Sequence, residues 1–340
     1  MPCLKAHKDI ELGYYNRTQK KADKFAADFG GHVFASPSEL VYWEPDAILV
    51  LTRENNRLEA ATALLEHKPK RLFFEKPLVA NNGQGDVQEQ DFFDARILME
   101  KANACSCETA MVFNYRFFDQ VMRAKQLISD RSFGPVINVA GLVHFACWSH
   151  VIDLVHFFAG PISELTALEN KEVRGGRMAS KDVTASFRSF GDATGTLIAT
   201  PTLNWTFPLF ELILNFEKGR IHIRDLDGDM EVLDHTEGHR ELHAIPKDKS
   251  RWDQYNASFK KSIDAYLQSI REGKPPPIDG AFGLQELQVE AAIKRSINTQ
   301  RPVNLSAELP TSGTEKPDSA QIIREAKPRP SDKISEERRR

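Results

Sequence analysis

Short apolar runs alternate with helical patterns along the first third of the chain. The runs that have the length of buried strands are Ile10–Tyr15, His32–Ala35, Asp46–Leu51, Arg71–Phe74 and Ala110–Asn114. Between them, alanine and apolar residues recur at helical spacing in Gln19–Phe29, Leu58–Glu66 and Asp91–Ala104. Strands separated by such helices are typical of βαβ units, so the pattern predicts a parallel sheet covered by helices on both faces. This first domain is expected to occupy residues 1–116.

From residue 117 onward the pattern changes to that of an antiparallel sheet. After a helix near Gln120–Ser129, the strand-like segments are Val136–His144, Ile162–Leu168, Asp182–Phe190, Gly195–Thr200, Glu211–Glu217, Arg220–Arg224 and Met230–Asp234. Helical patterns cover Ser149–Phe158, Tyr255–Glu272 and Leu284–Asn298. Residues 117–305 are therefore expected to form an α+β domain with an open, mainly antiparallel sheet. Residues 306–340 are expected to be a disordered charged tail, because they offer little apolar surface to bury.

Composition and charge narrow the range of partners. The chain has 340 residues, of which 41% are hydrophobic, enough for two packed domains. Its formal net charge of -3 gives no basic field, so no nucleic-acid partner is expected. No apolar run approaches the roughly 20 residues of a membrane helix, and no export signal is visible, so we expect a cytoplasmic protein without a membrane partner. The cysteines Cys3, Cys105, Cys107 and Cys147 form no Cys-x-x-Cys pair and are expected to be reduced thiols, with no metal bound.

A set of motifs in consistent order gives the chain a family resemblance. The motifs are Thr52 at the end of an apolar strand, Glu75-Lys76-Pro77 after the next strand, Asn114-Tyr115-Arg116-Phe117, a helix with His150 and Asp153, and the closing segment Leu284–Leu305. Over residues 1–305 the chain resembles the glucose–fructose oxidoreductase/inositol dehydrogenase (Gfo/Idh/MocA) family. The resemblance implies an α/β protein, in which a Rossmann-type parallel sheet is followed by an α+β domain for substrate binding and oligomerisation.

The resemblance implies hydride transfer between a carbinol carbon and a nicotinamide ring, with Lys76 as a catalytic residue. An ammonium held by Glu75 at the carboxyl end of a parallel strand would bind the substrate hydroxyl. It would then stabilise alkoxide character as the hydride leaves. The alternative is that Lys76 is an ordinary exposed lysine in a strand–helix turn.

His150 is the implied general base. An imidazole titrates near pH ~6.5 and can accept a proton at neutral pH. Asp153 lies three residues later on the same helix face and would fix the ring, and Ser149 is the expected N-cap of the helix. Ala146 stands where the family carries a catalytic aspartate, so a relay of lysine, aspartate and histidine lacks its middle member. A structural histidine is the alternative.

The implied cofactor is NADP or NAD, with NADP favoured. An acidic residue after the second strand of this fold binds the ribose of NAD, whereas a basic residue leaves room for the 2′-phosphate of NADP. The turn here reads Asn16-Arg17-Thr18, and an exposed polar turn without cofactor preference is the alternative. The expected cofactor contacts are Asn16, Arg17, Thr18, Lys21, Thr52, Arg53, Asn55, Glu75, Lys76, Asn114 and Arg116.

A second departure from the family concerns the start of the nucleotide domain. Dinucleotide sites of this fold begin with a strand, a Gly-x-Gly-x-x-Gly turn and a helix, and no such turn precedes Ile10. The resemblance implies that on the order of 20 residues are absent. Without the first strand, its two neighbours would lose a ladder in the middle of the sheet. A start site placed too late and a truncated relic are both open explanations.

Together these expectations describe an NAD(P)-dependent oxidoreductase that acts on a sugar, a polyol or a related hydroxyl or carbonyl compound. The open sheet is expected to form the interface of a homo-oligomer. Candidate aromatic residues for a sugar site are Trp148, Trp205, Phe207, Trp252 and Tyr255. Each of them alone is better explained by core packing. A non-catalytic sugar- or nucleotide-binding regulator of the same fold, favoured by Ala146, and a non-functional relic stay open as alternatives.

Overall fold

The computed structural model describes residues 2–175, 179–226, 228–245, 248 and 250–312. The helices of its first region are α1 (Pro2–Lys5), α2 (Gln19–Phe29), α3 (Pro37–Tyr42), α4 (Glu54–Leu65) and α5 (Glu89–Ala104). The strands are β1 (Gly13–Tyr14), β2 (His32–Val33), β3 (Ile48–Val50), β4 (Arg71–Phe74) and β5 (Glu108–Met111). Helix α3 begins where its sequence favours a start, because the Ser36 hydroxyl accepts the amide of Glu39 and Pro37 occupies the first turn.

The strands of this region pair in parallel. Strand β4 lies between β3 and β5, whereas β1 pairs with β2 in a separate two-stranded sheet. Leu72 and Phe74 of β4 face one hydrophobic core and Phe73 faces another, which explains the continuous apolar run of this strand. The parallel α/β architecture is confirmed. In the described part of the chain no ladder joins β1 to β3.

The second region is built on a nine-stranded sheet. Its helices are α6 (Asp119–Asp130), α7 (Trp148–Ala159), α8 (Arg251–Arg271), α9 (Ala281–Thr299) and α10 (Leu305–Glu308). Its strands are β6 (Val136–His144), β7 (Ile162–Glu169), β8 (Val183–Ser189), β9 (Thr194–Thr200), β10 (Phe210–Phe216), β11 (Gly219–Arg224), β12 (Met230–Asp234), β13 (His239–His243) and β14 (Val303–Asn304). Their spatial order is β13-β12-β11-β10-β6-β9-β8-β7-β14. Among the described strands of this sheet only β6 and β9 pair in parallel, so the predicted mainly antiparallel sheet is confirmed.

One face of this sheet is covered and the other is open. Helices α7 and α9 pack on the covered face, and α7 is buried from Trp148 to His156. Strand β8 alternates buried and exposed residues along its whole length, as a half-buried strand does. On the open face, Leu168, Ile198 and Leu142 lie in one row across neighbouring strands and are exposed.

The two long helices near the end of the chain return to the first region. Tyr266 of α8 packs on Phe73 of β4, with the ring centroids 4.6 Å apart. Helix α9 packs along α5, where the Arg295 guanidinium binds the Glu89 carboxylate at 2.5 Å. Lys76, after the end of β4, contacts Ala146, before the start of α7, and this junction of the two regions is called the crevice.

Two helix starts differ from those predicted. Ser149 is not the N-cap of α7, because the helix begins at Trp148, directly after a 3-10 turn at Phe145–Cys147. Helix α8 begins before Tyr255, because Ser250 and Asp253 form a capping box.

The disordered tail was predicted to begin at residue 306, which is too early. Residues 306–312 are ordered: α10 continues to Glu308, and Leu309 is buried against the core. The remainder of that prediction, residues 313–340, lies outside the described residues. Within the described ranges, no helix combines the length and apolarity needed to cross a membrane.

Candidate active site

One buried arginine joins two loops at the carboxyl ends of neighbouring strands. Arg57 of α4 donates to the Thr52 carbonyl at 2.7 Å and to the Pro77 carbonyl. Burial lowers the pKa of Arg57 to about 10, although the charge of Glu75 opposes this effect. The guanidinium therefore fixes the loop after β3 to the loop that carries Lys76. Sequence reasoning missed Arg57, and the available signal was an arginine among the alanines and leucines of a helix.

The Lys76 side chain leaves the first region and reaches the second. Its ammonium donates to the Ala146 carbonyl at 3.2 Å and to the side-chain oxygen of Gln84 at 3.1 Å. The Lys76–Pro77 peptide bond is cis. Lys76 thus lies at the carboxyl edge of the parallel strands, where open α/β sheets bind their ligands. The expected anchor is corrected, because the ammonium is hydrogen-bonded to Gln84 and Ala146 rather than to Glu75.

Glu75 lies between two cations at the same loop. Burial raises the pKa of its carboxyl, while the charges of Lys76 and Arg57 act in the opposite direction. Burial and the charge of Glu75 also raise the pKa of the Tyr255 phenol, to about 12. Glu75 therefore partly neutralises the two cations, and Tyr255 brings α8 to the edge of the crevice.

His150 lies in the first turn of α7 and is buried. Its ring stacks on Tyr115, with the centroids 3.9 Å apart and the planes within 7°, and meets Phe113 edge to face. Burial, together with the charge of Lys76, lowers the pKa of His150 well below 6.5, so the imidazole is neutral at physiological pH. Its buried Nδ1 atom has no hydrogen-bond partner among the described residues. A neutral ring beside a cation is able to accept a proton from a bound hydroxyl.

Asp153 and Arg116 form a buried ion pair with each other, which corrects the roles expected for both. The guanidinium donates to the two carboxylate oxygens at 2.8 and 2.5 Å and packs over the ring of Phe282. Burial raises the pKa of Asp153 to about 6, and the hydrogen bonds from Arg116 oppose this rise. Asp153 therefore does not orient His150. The Arg116 guanidinium is engaged inside the protein, with the Asp153 carboxylate and the Phe282 ring.

Tyr115 and Cys147 pack beneath His150. The tyrosine hydroxyl lies 3.2 Å from the cysteine sulfur. Burial raises the pKa of Cys147 to about 12 and that of Tyr115 well above 10, so both groups are protonated at physiological pH. The thiol is therefore not a nucleophile. Sequence reasoning named neither residue as part of the site, because each resembles an ordinary core residue.

The residues expected to contact the adenosine and nicotinamide ends of a cofactor are mostly exposed. The exposed positions are Arg17, Thr18, Lys21, Thr52, Arg53 and Asn55, whereas Asn16 is half-buried. They follow β1 and β3 at the carboxyl ends of these parallel strands. The Asn16 side chain accepts the Thr18 amide at 2.9 Å, and the Arg17 guanidinium lies 3.7 Å from the Glu59 carboxylate. Their placement fits the ends of a dinucleotide that lies along the strand ends.

Asn114 supplies a further feature that fits a cofactor. Its amide donates to the Ser258 hydroxyl at 2.8 Å, while its buried Oδ1 atom has no hydrogen-bond partner among the described residues. Buried acceptors are nearly always satisfied, so this oxygen suits an N–H group of a ligand such as the nicotinamide carboxamide. No Gly-x-Gly-x-x-Gly turn for the pyrophosphate occurs in the sequence.

The sequence of this chain is similar to a known family model and to two known dehydrogenases. Residues 5–89 match a family model described as an oxidoreductase family with a NAD-binding Rossmann fold. Myo-inositol 2-dehydrogenase of Thermotoga maritima is 22% identical over 302 residues, which are 80% of this chain and 84% of that protein. These matches confirm the expected resemblance to the Gfo/Idh/MocA oxidoreductase family, whose model covers residues 5–89. Glucose-6-phosphate 3-dehydrogenase of Bacillus subtilis is 29% identical over 144 residues, which are 42% of this chain and 37% of that relative.

Solved structures share the fold over most of the chain. An NAD binding oxidoreductase from Klebsiella pneumoniae has a TM-score of 0.72 at 17% identity and covers 87% of this chain and 90% of its own. An oxidoreductase from Agrobacterium radiobacter, in complex with NAD+, L-tartaric acid and magnesium, has a TM-score of 0.73 at 15% identity and covers 91% and 95%. The Rossmann-type fold that the motifs predicted is thereby confirmed.

Proposed function

We propose that this Gfo/Idh/MocA protein is an NAD(P)-dependent dehydrogenase or reductase that acts on a hydroxyl or carbonyl group of a sugar or polyol. The position of the Lys76 ammonium supports the proposal most, because it lies at the carboxyl edge of the parallel strands and contacts the second region through the Ala146 carbonyl. The two sequence relatives bear the names of a cyclitol dehydrogenase and a sugar-phosphate dehydrogenase, which favours a ring-shaped polyhydroxyl substrate.

The residues of the crevice divide the chemistry between them. A bound nicotinamide ring supplies the hydride acceptor. Lys76 donates a hydrogen bond to the substrate hydroxyl, and its charge stabilises the alkoxide character that develops as the hydride leaves carbon. The neutral imidazole of His150 accepts the hydroxyl proton. Because the pKa of His150 lies well below 6.5, the imidazolium releases this proton again readily.

The proposed cofactor is NADP in preference to NAD. Arg17 is 67% exposed in its side chain at the end of β1, where a guanidinium is able to bind a 2′-phosphate. The nearby Glu59 carboxylate competes for the same guanidinium, so the preference is expected to be modest. The measurement is kcat/KM for NADP+ and for NAD+ with one substrate. A larger value for NAD+ would reverse this part of the proposal.

A second copy of the chain is proposed to cover the open face of the nine-stranded sheet. The row of Leu168, Ile198 and Leu142 exposes apolar side chains that an identical sheet face would bury. Sedimentation velocity of the purified protein is expected to give a dimer or a larger homo-oligomer. The free cysteines, two of them buried, favour a reducing compartment, and we place the protein in the cytoplasm.

The substitution Lys76→Ala tests the catalytic proposal. The full chain is incubated with NADP+ or NAD+ and a panel of hexoses and cyclitols, and the formation of reduced nicotinamide is followed by absorbance. Removal of one group that stabilises the developing charge costs about 10²–10³ in kcat, so a loss of that order is expected. The matched control is Lys218→Ala, at the exposed β10–β11 turn and at the opposite end of the strands from the crevice. Unchanged turnover in Lys76→Ala would contradict the assignment.

A ligand-binding regulator is the second candidate function. Ala146 offers only its backbone carbonyl to Lys76 at the position where the family carries an acid. Calorimetric titration of the wild-type protein separates the two candidates. Binding of a sugar and of a dinucleotide without nicotinamide reduction would favour the regulator over the enzyme.

A further inference from the structure

The loop between β9 and β10, residues 201–209, presents two aromatic side chains to solvent from a backbone that is fixed in place. Trp205 is 51% exposed and Phe207 is 65% exposed. The Arg251 guanidinium donates to the Trp205 carbonyl at 2.7 Å and to the Phe207 carbonyl at 2.9 Å. Rigid aromatic rings on an ordered backbone are well suited to bind a ligand, because little conformational entropy is lost when they do so.

The loop is anchored on one buried ion pair. Arg251 lies 3.1 Å from the Asp225 carboxylate, which is itself buried. Asp225 also accepts the backbone amide of Leu209 at 2.6 Å, at the end of the loop. The ion pair therefore fixes the middle and the end of the loop together. Because the guanidinium is bound by a carboxylate and two carbonyls, its charge is largely neutralised within the protein.

Three contacts in series connect Trp205 to Lys76. The indole meets the ring of His144 edge to face, with the centroids 5.1 Å apart. The Nδ1 atom of His144 accepts the backbone amide of Ala146 at 3.0 Å, and the carbonyl of the same residue accepts the Lys76 ammonium at 3.2 Å. The exposed indole and the ammonium are therefore held by the same short segment at the end of β6.

We infer that Trp205 is the apolar platform of the substrate site, and that the substrate is an uncharged ring with a C–H-rich face, a pyranose or a cyclitol. The inference rests on the proposed function, in which Lys76 binds the reacting hydroxyl. Such a ring packs its C–H face on the indole and directs its hydroxyl edge toward Lys76. Arg251 is committed to Asp225 and to the loop, so the loop favours a neutral ring over a phosphorylated one.

The first test separates substrate binding from chemistry by steady-state kinetics. In Trp205→Ala, KM for myo-inositol and D-glucose is expected to rise about tenfold, with kcat within about twofold of wild type. Trp205→Phe keeps an aromatic face and is expected to restore most of the loss. The control is Phe190→Ala, which removes a ring that is 65% exposed at the β8–β9 turn, away from the crevice. A KM that is unchanged in Trp205→Ala overturns the inference.

The second test measures binding without turnover, by saturation-transfer difference NMR with myo-inositol, D-glucose and D-glucose 6-phosphate. Signals from the ring C–H protons of the two neutral compounds are expected with wild type and are expected to disappear with Trp205→Ala. If those signals depend on Trp205 while no compound is turned over, the inference stands and the proposed enzyme activity fails. If wild type gives no ring signal from any neutral compound, the inference is overturned, even where Lys76-dependent turnover of another compound supports the enzyme. A signal from glucose 6-phosphate alone that survives Trp205→Ala also overturns it.

Discussion

The two walls of the crevice position their main side chains by different means. On the wall from the first region, Lys76 makes two hydrogen bonds, and Arg57 fixes the loop on which it lies. On the wall from the second region, His150 is positioned by ring stacking on Tyr115, and its buried Nδ1 atom has no partner among the described residues. Hydrogen bonds therefore position Lys76 on the first wall, whereas packing of aromatic rings positions His150 on the second wall.

The difference shows how charge is distributed across the crevice. Burial lowers the pKa of His150 most, and the ammonium of Lys76 lowers it further, so the cation on one wall helps to keep the base on the other wall neutral. The carboxylate of Asp153, which would reverse this effect, is held by Arg116. The neutral imidazole has a lone pair that accepts the proton of a bound hydroxyl, while the adjacent cation opposes the positive charge that this transfer creates on the ring.

The largest expected effect on the free energy of unfolding comes from removing the ion pair between Asp153 and Arg116 in the second wall. The substitution Asp153→Leu leaves the Arg116 charge buried without its partner, which typically costs about 3–5 kcal/mol of the free energy of unfolding. Urea denaturation followed by circular dichroism measures the loss. The control is Asp192→Asn, in an exposed pair with Arg188, where a change below about 1 kcal/mol is expected. An equally small change in Asp153→Leu would mean that the pair does not stabilise the wall.

Removing the hydrogen bonds of Arg57 in the first wall is expected to have the next largest effect on the free energy of unfolding. The substitution Arg57→Met leaves the carbonyls of Thr52 and Pro77 without their donor, and each such loss costs about 1–3 kcal/mol. Because the loop then moves, kcat is expected to fall as well, although Arg57 itself does not contact substrate. The control is Arg123→Met, an exposed arginine of α6. Lower stability with unchanged kcat would show that the loop does not need this anchor to position Lys76.

The buried carboxyl pair of Glu286 and Glu290 is expected to make the stability of the protein depend on pH. Glu286 and Glu290 are one turn apart in α9 and are buried. Burial and the neighbouring Glu290 raise the pKa of Glu286 well above 4.5, and burial raises that of Glu290 to about 7. The folded protein therefore retains protons that the unfolded chain releases, so stability falls as pH rises from about 4.5 to about 7.

The substitution Glu286→Gln tests this pH dependence. It removes one of the two ionisations, so the loss of stability between about pH 5 and about pH 8 is expected to shrink. The measurement is the free energy of unfolding by urea at both pH values. The control is Glu237→Gln, an exposed carboxyl of the β12–β13 turn. An unchanged pH dependence in Glu286→Gln would place the titrating group elsewhere.

Much of the fold could be predicted from periodicity because the core side chains follow it. The strand Met230–Asp234 was predicted with the bounds that the structure shows, since its residues alternate between buried and half-buried positions. Strand β13 was missed because its sequence, His239–His243, is polar at the edge of the sheet and carries no apolar alternation. The order at Leu309 was missed because its burial depends on α9, which no local pattern of the tail reveals.

In the candidate site, the sequence could predict only those positions that follow from the order of the strands and helices. Lys76 follows a parallel strand, so its place at the ligand-binding edge followed from the order of the elements. The partners of the side chains did not follow, because they come from distant segments. Asp153 and Arg116 are 37 residues apart, and their pairing removed two assignments that helix spacing and motif position had favoured.

The smallest expected effect distinguishes stacking from hydrogen bonding on the second wall. Tyr115→Phe removes the hydroxyl that lies 3.2 Å from the Cys147 sulfur but keeps the ring that stacks on His150. A weak contact to sulfur is lost and no charge is uncovered, so a change within about 1 kcal/mol in the free energy of unfolding is expected. Since the imidazole keeps its position, kcat is expected to stay within about twofold of wild type. If kcat instead fell by an order of magnitude, the Tyr115 hydroxyl would take part in moving the proton, and the second wall would depend on hydrogen bonds as the first does.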